Sequence, residues 1–224
     1  MSYPEYPFQN LPQTITVQEC RNPFMVITAF FECCHIHQAV KLLDKWMRSA
    51  FAEKSRVGKT DTVSILHLQE QLIRLLEAGQ LLNDDPANNE KALDRTTGPD
   101  ITNTELYYRQ NKAVTAWECF PRQLSPAEFT NPYLVFEKCL GHFDLAGWRI
   151  VLKRLFHAAV SNGFITESVL DDDVYTTQKY LFKLLYACHL IKVREIDPNI
   201  PPAPEGTNPK HPLQPASQLS AVSN

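Results

Sequence analysis

The sequence predicts an all-α protein made of two tandem, related three-helix units that pack together as one pseudo-two-fold helical bundle. Three observations lead to this prediction: a repeated phrase, apolar residues at three- and four-residue steps in each copy, and a polar segment between the copies. The phrase reads ITVQECRNPF at 15–24 and LSPAEFTNPY at 124–133, at an offset of 109 residues.

The repeat extends well beyond the phrase. Residues 11–82 align without a gap with residues 120–191, and thirteen of the 72 pairs are identical, where average composition predicts about four. Two unrelated amphipathic helices would share leucines, but they would not share a Pro, a Glu and an Asn-Pro pair in register. We therefore interpret 11–82 as helical unit 1 and 120–191 as helical unit 2, related by an internal duplication.

The repeated phrase predicts a short helix in each unit. Thr16 and Ser125 are followed three residues later by Glu19 and Glu128, which is the capping-box pattern. In this pattern the hydroxyl accepts from one backbone N–H while the carboxylate accepts from the other. The phrase therefore has a structural meaning and implies no chemistry.

Three longer helices are predicted in each unit. An Asn-Pro pair, at 22–23 and 131–132, predicts the start of the first of them, because Asn is a good N-cap and Pro is favoured in the first turn. The second and third show amphipathic periodicity, at 36–52 and 62–82 in unit 1 and at 145–160 and 172–191 in unit 2. Asp144 is the predicted N-cap of the second helix of unit 2, and Thr60 or Asp61 that of the third helix of unit 1.

Two segments lie outside the units. Residues 83–119 are predicted to form a polar linker with a possible further helix at 105–119. Residues 192–224 form a Pro-rich tail, predicted to be disordered or polyproline-like. Its P-x-x-P spacings are compatible with docking into an aromatic groove, although a plain unstructured tail is the favoured interpretation.

Composition narrows the class of protein. The net charge of −3 gives no overall attraction to nucleic acid, and no apolar run approaches the length of a membrane-spanning helix, so we expect no membrane partner. The six cysteines form no C-x-x-C motif and are interpreted as reduced thiols. The predicted location is cytoplasmic.

One cluster could ligate a metal. The stretch ECCHIH at 32–37 places Cys33 and Cys34 four and three residues before His37. These are zinc-ligating residue types, but a structural site needs four ligands, and no second pair with suitable spacing occurs. Cys33, Cys34 and His37 are therefore only weak metal candidates, and no cofactor is expected.

Basic side chains occur on the predicted outer face of the second helix of each unit. They are Lys41, Lys45 and Arg48 in unit 1, and Arg149, Lys153 and Arg154 in unit 2. Such a face can neutralise phosphates, although a charged row is more often the solvated side of an amphipathic helix.

A nuclease-like interpretation lacks its catalytic residues. Small all-α modules of the HEPN type include ribonucleases whose active site pairs an Arg with a His a few residues later. Seven residues separate Arg149 from His157 and two separate Arg154 from His157, so the motif is absent. No catalytic residue is assigned.

The sequence predicts a non-enzymatic interaction or scaffold module that binds another macromolecule. A protein is the favoured partner. Its candidate contact surfaces are the seam between the two units and the basic faces. The alternative is a nucleic-acid-associated helical protein without a recognisable catalytic motif. An enzyme remains an option only if polar residues converge in space, and Cys33, His35 and His37 around a metal are the first such site to consider.

Overall fold

The computed structural model describes residues 8–51, 58–85, 119–161 and 174–196, and every regular element within these ranges is helical. The elements described there are α1 (Val17–Arg21), α2 (Phe24–Cys33), α3 (Ile36–Ala50), α4 (Lys59–Asn83), α5 (Pro126–Thr130), α6 (Leu134–His142), α7 (Leu145–Val160), α8 (Val174–Ile191) and a π-helical turn (Lys192–Ile196). The all-α prediction is confirmed. The predicted helix at 105–119, except for Cys119, and the tail beyond Ile196 lie outside the described residues.

Both predicted capping boxes are confirmed. The Thr16 hydroxyl accepts from Glu19 N at 3.3 Å, and the Glu19 carboxylate accepts from Thr16 N at 2.7 Å. Ser125 and Glu128 make the same two hydrogen bonds, at 3.3 and 2.8 Å. Each box satisfies two backbone N–H groups that the first turn of a helix leaves without intrahelical partners.

The predicted N-caps Asn22 and Asn131 were wrong, because both residues are the C-caps of the short helices α1 and α5. The N-cap residues of α2 and α6 are Pro23 and Tyr133. Pro23 has helical dihedral angles (φ −61°, ψ −20°), and α2 begins at the next residue. In unit 2 the Asn131 side-chain oxygen accepts from the backbone N–H of Tyr133, the N-cap residue of α6, at 3.1 Å. The Asp144 carboxylate accepts from Gly147 N at 2.7 Å, which confirms Asp144 as the N-cap of α7.

The predicted cap of α4 was wrong. Thr60 and Asp61 lie inside the helix, because α4 already begins at Lys59 with Gly58 as its N-cap residue. Gly58 has extended dihedral angles and its carbonyl accepts the first intrahelical bond, from Thr62 N at 3.0 Å. A glycine cap contributes no side-chain oxygen, so the sequence contains no clear signal for this start.

One hydrophobic core holds these helices together. The most extensive packing joins α3 to α7, while α4 packs against α6 and α7, and α8 packs against α3 and α6. Trp46 and Trp148 are the two largest fully buried side chains, one on each of the two helices that meet at the centre. Burying a large apolar side chain contributes roughly 1.5–3 kcal/mol, so this shared core is the main source of stability.

The π-helical turn extends α8 beyond the end predicted for unit 2. Arg194 donates to the Phe129 carbonyl at 2.6 Å, and its guanidinium lies over the Phe129 ring, 4.6 Å from the centroid. The Tyr133 hydroxyl donates to Glu195 at 2.7 Å. These contacts fix the turn against α5 and the start of α6, so the chain is ordered by packing through residue 196, five residues into the segment predicted as tail.

Gly79 on α4 allows the close approach of α6. A Cβ atom at this position would lie 2.5 Å from Cδ1 of Phe136, a side chain that is 1% exposed. We expect Gly79→Ala to lower the free energy of unfolding by about 1–3 kcal/mol, because the buried ring cannot move freely. Urea unfolding measures this loss. Gly141→Ala on α6 is the control, since no atom lies within 4 Å of its Cβ, and it should not destabilise the protein.

Candidate binding site

The candidate metal ligands lie at the corner between α2 and α3. Cys33 ends α2 and is exposed, whereas the Cys34 thiol is half-buried and donates to the His35 carbonyl at 3.7 Å. The Nδ1 atoms of His35 and His37 are 2.7 Å apart, which is hydrogen-bond distance. Within the described ranges, no group of three or more His, Cys, Asp and Glu residues is arranged to hold a metal ion.

The predicted basic face is of mixed charge on α3. Lys41, Lys45 and Arg48 are exposed, but carboxylates lie among them. Lys45 pairs with Asp61 on α4 at 2.7 Å, and Arg48 pairs with Asp44 at 2.8 Å. These carboxylates reduce the positive potential that a row of phosphates would require. Lys153 and Arg154 are exposed on α7, as predicted.

Arg149 does not lie on the predicted outer face. Its side chain is only 18% exposed and donates to Glu77 Oε1 on α4 at 2.6 Å. It also donates to the carbonyls of Gln9 and, at 2.8 Å, Leu11. The placement predicted from helical periodicity was wrong because residues 8–15, the leading segment, cross the exposed side of α7 and enclose the guanidinium.

Glu77 is the centre of this buried contact. The carboxylate is fully buried and also accepts from the backbone N–H and hydroxyl of Thr14, both at 2.8 Å, and from Ile15 N at 3.2 Å. Burial raises the pKa of Glu77, but the hydrogen bonds from Arg149 and from the leading segment outweigh it, so the pKa lies below its usual value. We name Glu77, Arg149 and residues 8–15 the inter-unit clamp, because α4 belongs to unit 1 and α7 to unit 2.

A cleft opens on another part of the seam between the units. Six residues line this seam cleft: Phe31, His35 and Ile36 from the α2–α3 corner, and His189, Lys192 and Val193 from the end of α8 and the π-helical turn. The cleft is shallow: its cavity volume is about 40 Å³, far below the roughly 300–1,000 Å³ of ligand pockets. It is therefore a shallow depression in a contact surface and not a ligand pocket.

Helix geometry explains how these residues meet. The change from α- to π-helix at Lys192 widens the last turn, and such turns occur often at functional sites. The Phe31 and His189 rings lie against each other, with centroids 5.3 Å apart, which closes one wall of the cleft. The contacts of Arg194 with Phe129 and of Glu195 with Tyr133 hold the opposite end of the turn in place.

The lining of the seam cleft combines apolar and basic residues. Phe31, Ile36 and Val193 are apolar, and each ionisable residue in its lining is basic. Burial and the neighbouring charge of His37 lower the pKa of His35.

The sequence predicts the seam as a contact surface but does not identify its residues. His35 and Lys192 are separated by more than 150 positions, so no local spacing signals the site. A comparison of the two units does show a difference at this site, because the offset of 109 aligns His189 with Gln80 and Lys192 with Asn83. The cleft is thus built where the two halves differ in sequence.

Comparisons of the chain with family models, with curated proteins and with solved structures returned no match. In the described ranges, no helix combines the length and the apolar character needed to cross a bilayer. The geometry of the chain itself is therefore the basis for assigning a function.

Proposed function

We propose that this chain is a non-enzymatic interaction module that binds another protein through the seam cleft. The observation that supports this proposal best is the cleft itself, in which apolar and basic residues from both units face one small space. Binding sites commonly occur where two structural units meet, and specificity comes from a few polar groups in an apolar lining.

The proposal includes the internal duplication and the pseudo-two-fold arrangement of its units. Val17–Arg21 and Pro126–Thr130 begin and end at the 109-residue offset, and α2 and α3 match α6 and α7 to within one residue at each end. A buried carboxylate on the short helix pairs with a cation on the last helix of its own unit in both copies. The pairs are Glu19 with Arg74 and Glu128 with Lys183, and both members differ by 109. Shared leucines would not produce this second correspondence.

Helix contacts support the same arrangement. If the two units exchange places, the contact of α4 with α7 becomes the contact of α8 with α3. In the same way, the contact of α2 with α4 becomes the contact of α6 with α8. All four contacts are present. The central α3–α7 contact is converted into itself. An approximate two-fold axis through that contact, as in an isologous dimer, accounts for the pattern.

Site-specific photo-crosslinking tests the proposed function. A benzophenone amino acid replaces Phe31 in the cleft, and the control replaces Leu140, the half-buried residue at the equivalent position of unit 2. In lysate of the native source, we expect the first protein to form a discrete protein adduct and the control to form none. Absence of an adduct at position 31, or the same adduct from both positions, would contradict the proposal.

Nucleic acid is the second candidate partner, and the observation in its favour is the pair of exposed cations Lys153 and Arg154 on α7. Phosphate contacts weaken as salt increases, so bound nucleic acid would be lost in a high-salt wash. The ratio of absorbance at 260 and 280 nm before and after the wash measures this loss. We expect no change, and a salt-dependent decrease would favour nucleic acid over a protein partner.

A further inference from the structure

We propose that the leading segment, residues 8–15, is a releasable strap that leaves α4 and α7 in one step while the rest of the core stays folded. Its release opens one face of α7 and the Glu77–Arg149 pair to solvent. The proposal goes beyond the interaction function and does not depend on the seam cleft. It depends on how this segment is fastened, on how the equivalent segment of unit 2 is fastened, and on the ion pair beneath the strap.

The first end of the leading segment is fastened to α7 by polar contacts. The Asn10 side-chain oxygen accepts from Ala146 N, in the first turn of α7, at 3.2 Å. Three residues further along α7, Arg149 donates to the carbonyls of Gln9 and Leu11. This end therefore depends on one helix terminus and one guanidinium.

The second end is fastened to α4 through a single carboxylate. Thr14 donates to Glu77 Oε2 from its backbone N–H and from its hydroxyl, both at 2.8 Å, and Ile15 N donates to the same oxygen at 3.2 Å. Glu77 in turn accepts from Arg149 through its other oxygen. The two ends thus belong to one hydrogen-bond network, and loss of either end weakens the other.

Apolar burial contributes little to the fastening. Each residue from 8 to 14 is exposed or half-buried, and the Phe8 and Leu11 side chains are 73% and 52% exposed. Ile15, at the end of the segment, packs against the core. Water can replace most of the hydrogen bonds that release breaks, whereas nothing replaces a buried apolar contact. A segment fastened in this way can leave at a small free-energy cost.

The equivalent segment of unit 2 is fastened by apolar contacts. The offset of 109 pairs residues 10–15 with 119–124, where Cys119 is 0% exposed and Pro121 is buried. Phe120 packs against the core and lies against the Phe129 ring, with centroids 5.8 Å apart. Release of this segment would expose all of these apolar groups. The same place in the fold therefore has a polar fastening in unit 1 and an apolar one in unit 2.

The residues beneath the two segments differ in the same way. Val40 and Tyr186 occupy the positions in the repeat that correspond to Arg149 and Glu77. Because Arg149 and Glu77 come from α7 and α4, their ion pair does not require the strap. Release hydrates both charges without separating them, so the two units stay joined while the strap is open.

Native-state amide hydrogen exchange, followed by NMR on the full-length protein at low urea concentrations, tests the proposal. The amides of Ala146, Thr14 and Ile15 should exchange through one opening, with equal free energies of opening and little dependence on urea. The Leu152 amide, in the middle of α7, should exchange only by global unfolding. Exchange of all four amides by global unfolding would overturn the proposal. So would free energies of opening that increase stepwise toward residue 15, which indicate fraying from one end.

Unit 2 provides a matched comparison in the same experiment. Leu124 is equivalent to Ile15, and its N–H donates to the Pro121 carbonyl at 3.1 Å. After correction for intrinsic rates, we expect the Leu124 amide to exchange at least tenfold more slowly than the Ile15 amide. Equal rates would show that the polar fastening does not make the leading segment releasable, and would overturn the proposal.

Variants at opposite ends of the strap test whether it opens as a unit. Asn10→Ala should accelerate exchange at Thr14 and Ile15 about fivefold, and Thr14→Val should do the same at Ala146, as expected for loss of one hydrogen bond. Neither should change exchange at Leu152, and Gln18→Ala, an exposed position on α1, should change none of these rates. Acceleration confined to the end that carries the substitution would overturn the proposal. The exchange of the unmodified protein tests it independently if a variant does not fold.

Discussion

Replacing Arg149 by Ala is expected to lower the free energy of unfolding by about 3–5 kcal/mol, a large fraction of the stability of a typical domain. The substitution leaves the fully buried Glu77 carboxylate without its cation, and it releases the carbonyls of Gln9 and Leu11 from the guanidinium. A buried charge without a counter-charge is destabilising, because it has lost its hydration and no ion pair replaces it. Urea unfolding followed by circular dichroism measures the change.

Lys153→Ala is the control for this prediction. Lys153 is an exposed cation on the same helix, and its removal should change the stability by no more than about 0.5 kcal/mol. The double variant Glu77→Ala with Arg149→Ala should be more stable than the sum of the single losses predicts, because it leaves no isolated charge. Equal stability of Arg149→Ala and Lys153→Ala would contradict the inter-unit clamp.

Replacing Glu128 by Gln is expected to have the second largest effect, a loss of about 3 kcal/mol at neutral pH. The Glu128 side chain is 1% exposed and pairs with Lys183 at 2.5 Å and with Lys138 at 2.8 Å. The amide keeps the size of the side chain but leaves Lys183, itself 10% exposed, without a counter-charge. Urea unfolding at neutral pH measures the loss.

Glu19→Gln is the matched variant in unit 1. Its pair with Arg74 is more exposed, with side-chain exposures of 11% and 28%, so the expected loss is only about 1 kcal/mol. If Glu19→Gln lowers the free energy of unfolding by as much as Glu128→Gln or by more, burial does not determine the strength of these ion pairs.

Acid titration gives an independent test of Glu128. Burial raises its pKa, but the hydrogen bonds from Lys138, Lys183 and Ser125 outweigh burial and lower the pKa from 4.5 to about 2. Because the folded pKa is depressed, the stabilisation is complete above pH 4.5 and is lost as the pH falls from 4.5 through about 2. The difference in stability between the native protein and Glu128→Gln should therefore decrease over that window, and a constant difference would contradict the assignment.

Local signals in the sequence predicted local structure well. The capping boxes at Thr16 and Ser125 and the Asp144 cap were found because each depends on residues only three positions apart. The cap of α4 was missed because Gly58 works through its backbone, so no side chain marks the start of the helix.

Contacts between distant parts of the chain could not be predicted in the same way. Periodicity assigned Arg149 to the solvated side of α7, since it cannot detect a leading segment that returns to cover this side. Its partner Glu77 lies in an apolar stretch, LIRLLEAGQLL. In such a stretch, helical periodicity assigns an acidic residue to the exposed edge of the apolar face. The residues of the seam cleft could not be identified for the same reason, because its two sides are brought together only by the packing of both units.

The central claim is that the two units share one core and stabilise each other. Trp46 in unit 1 and Trp148 in unit 2 are buried reporters of each unit. The chain has a third tryptophan, Trp117, so ¹⁹F NMR of a fluorotryptophan-labelled Trp117→Phe variant observes the two separately. Across a urea titration, the native signals of both residues should disappear at the same midpoint, because neither half keeps its core without the other. A native signal from one tryptophan that persists well after the other has been lost would contradict the claim.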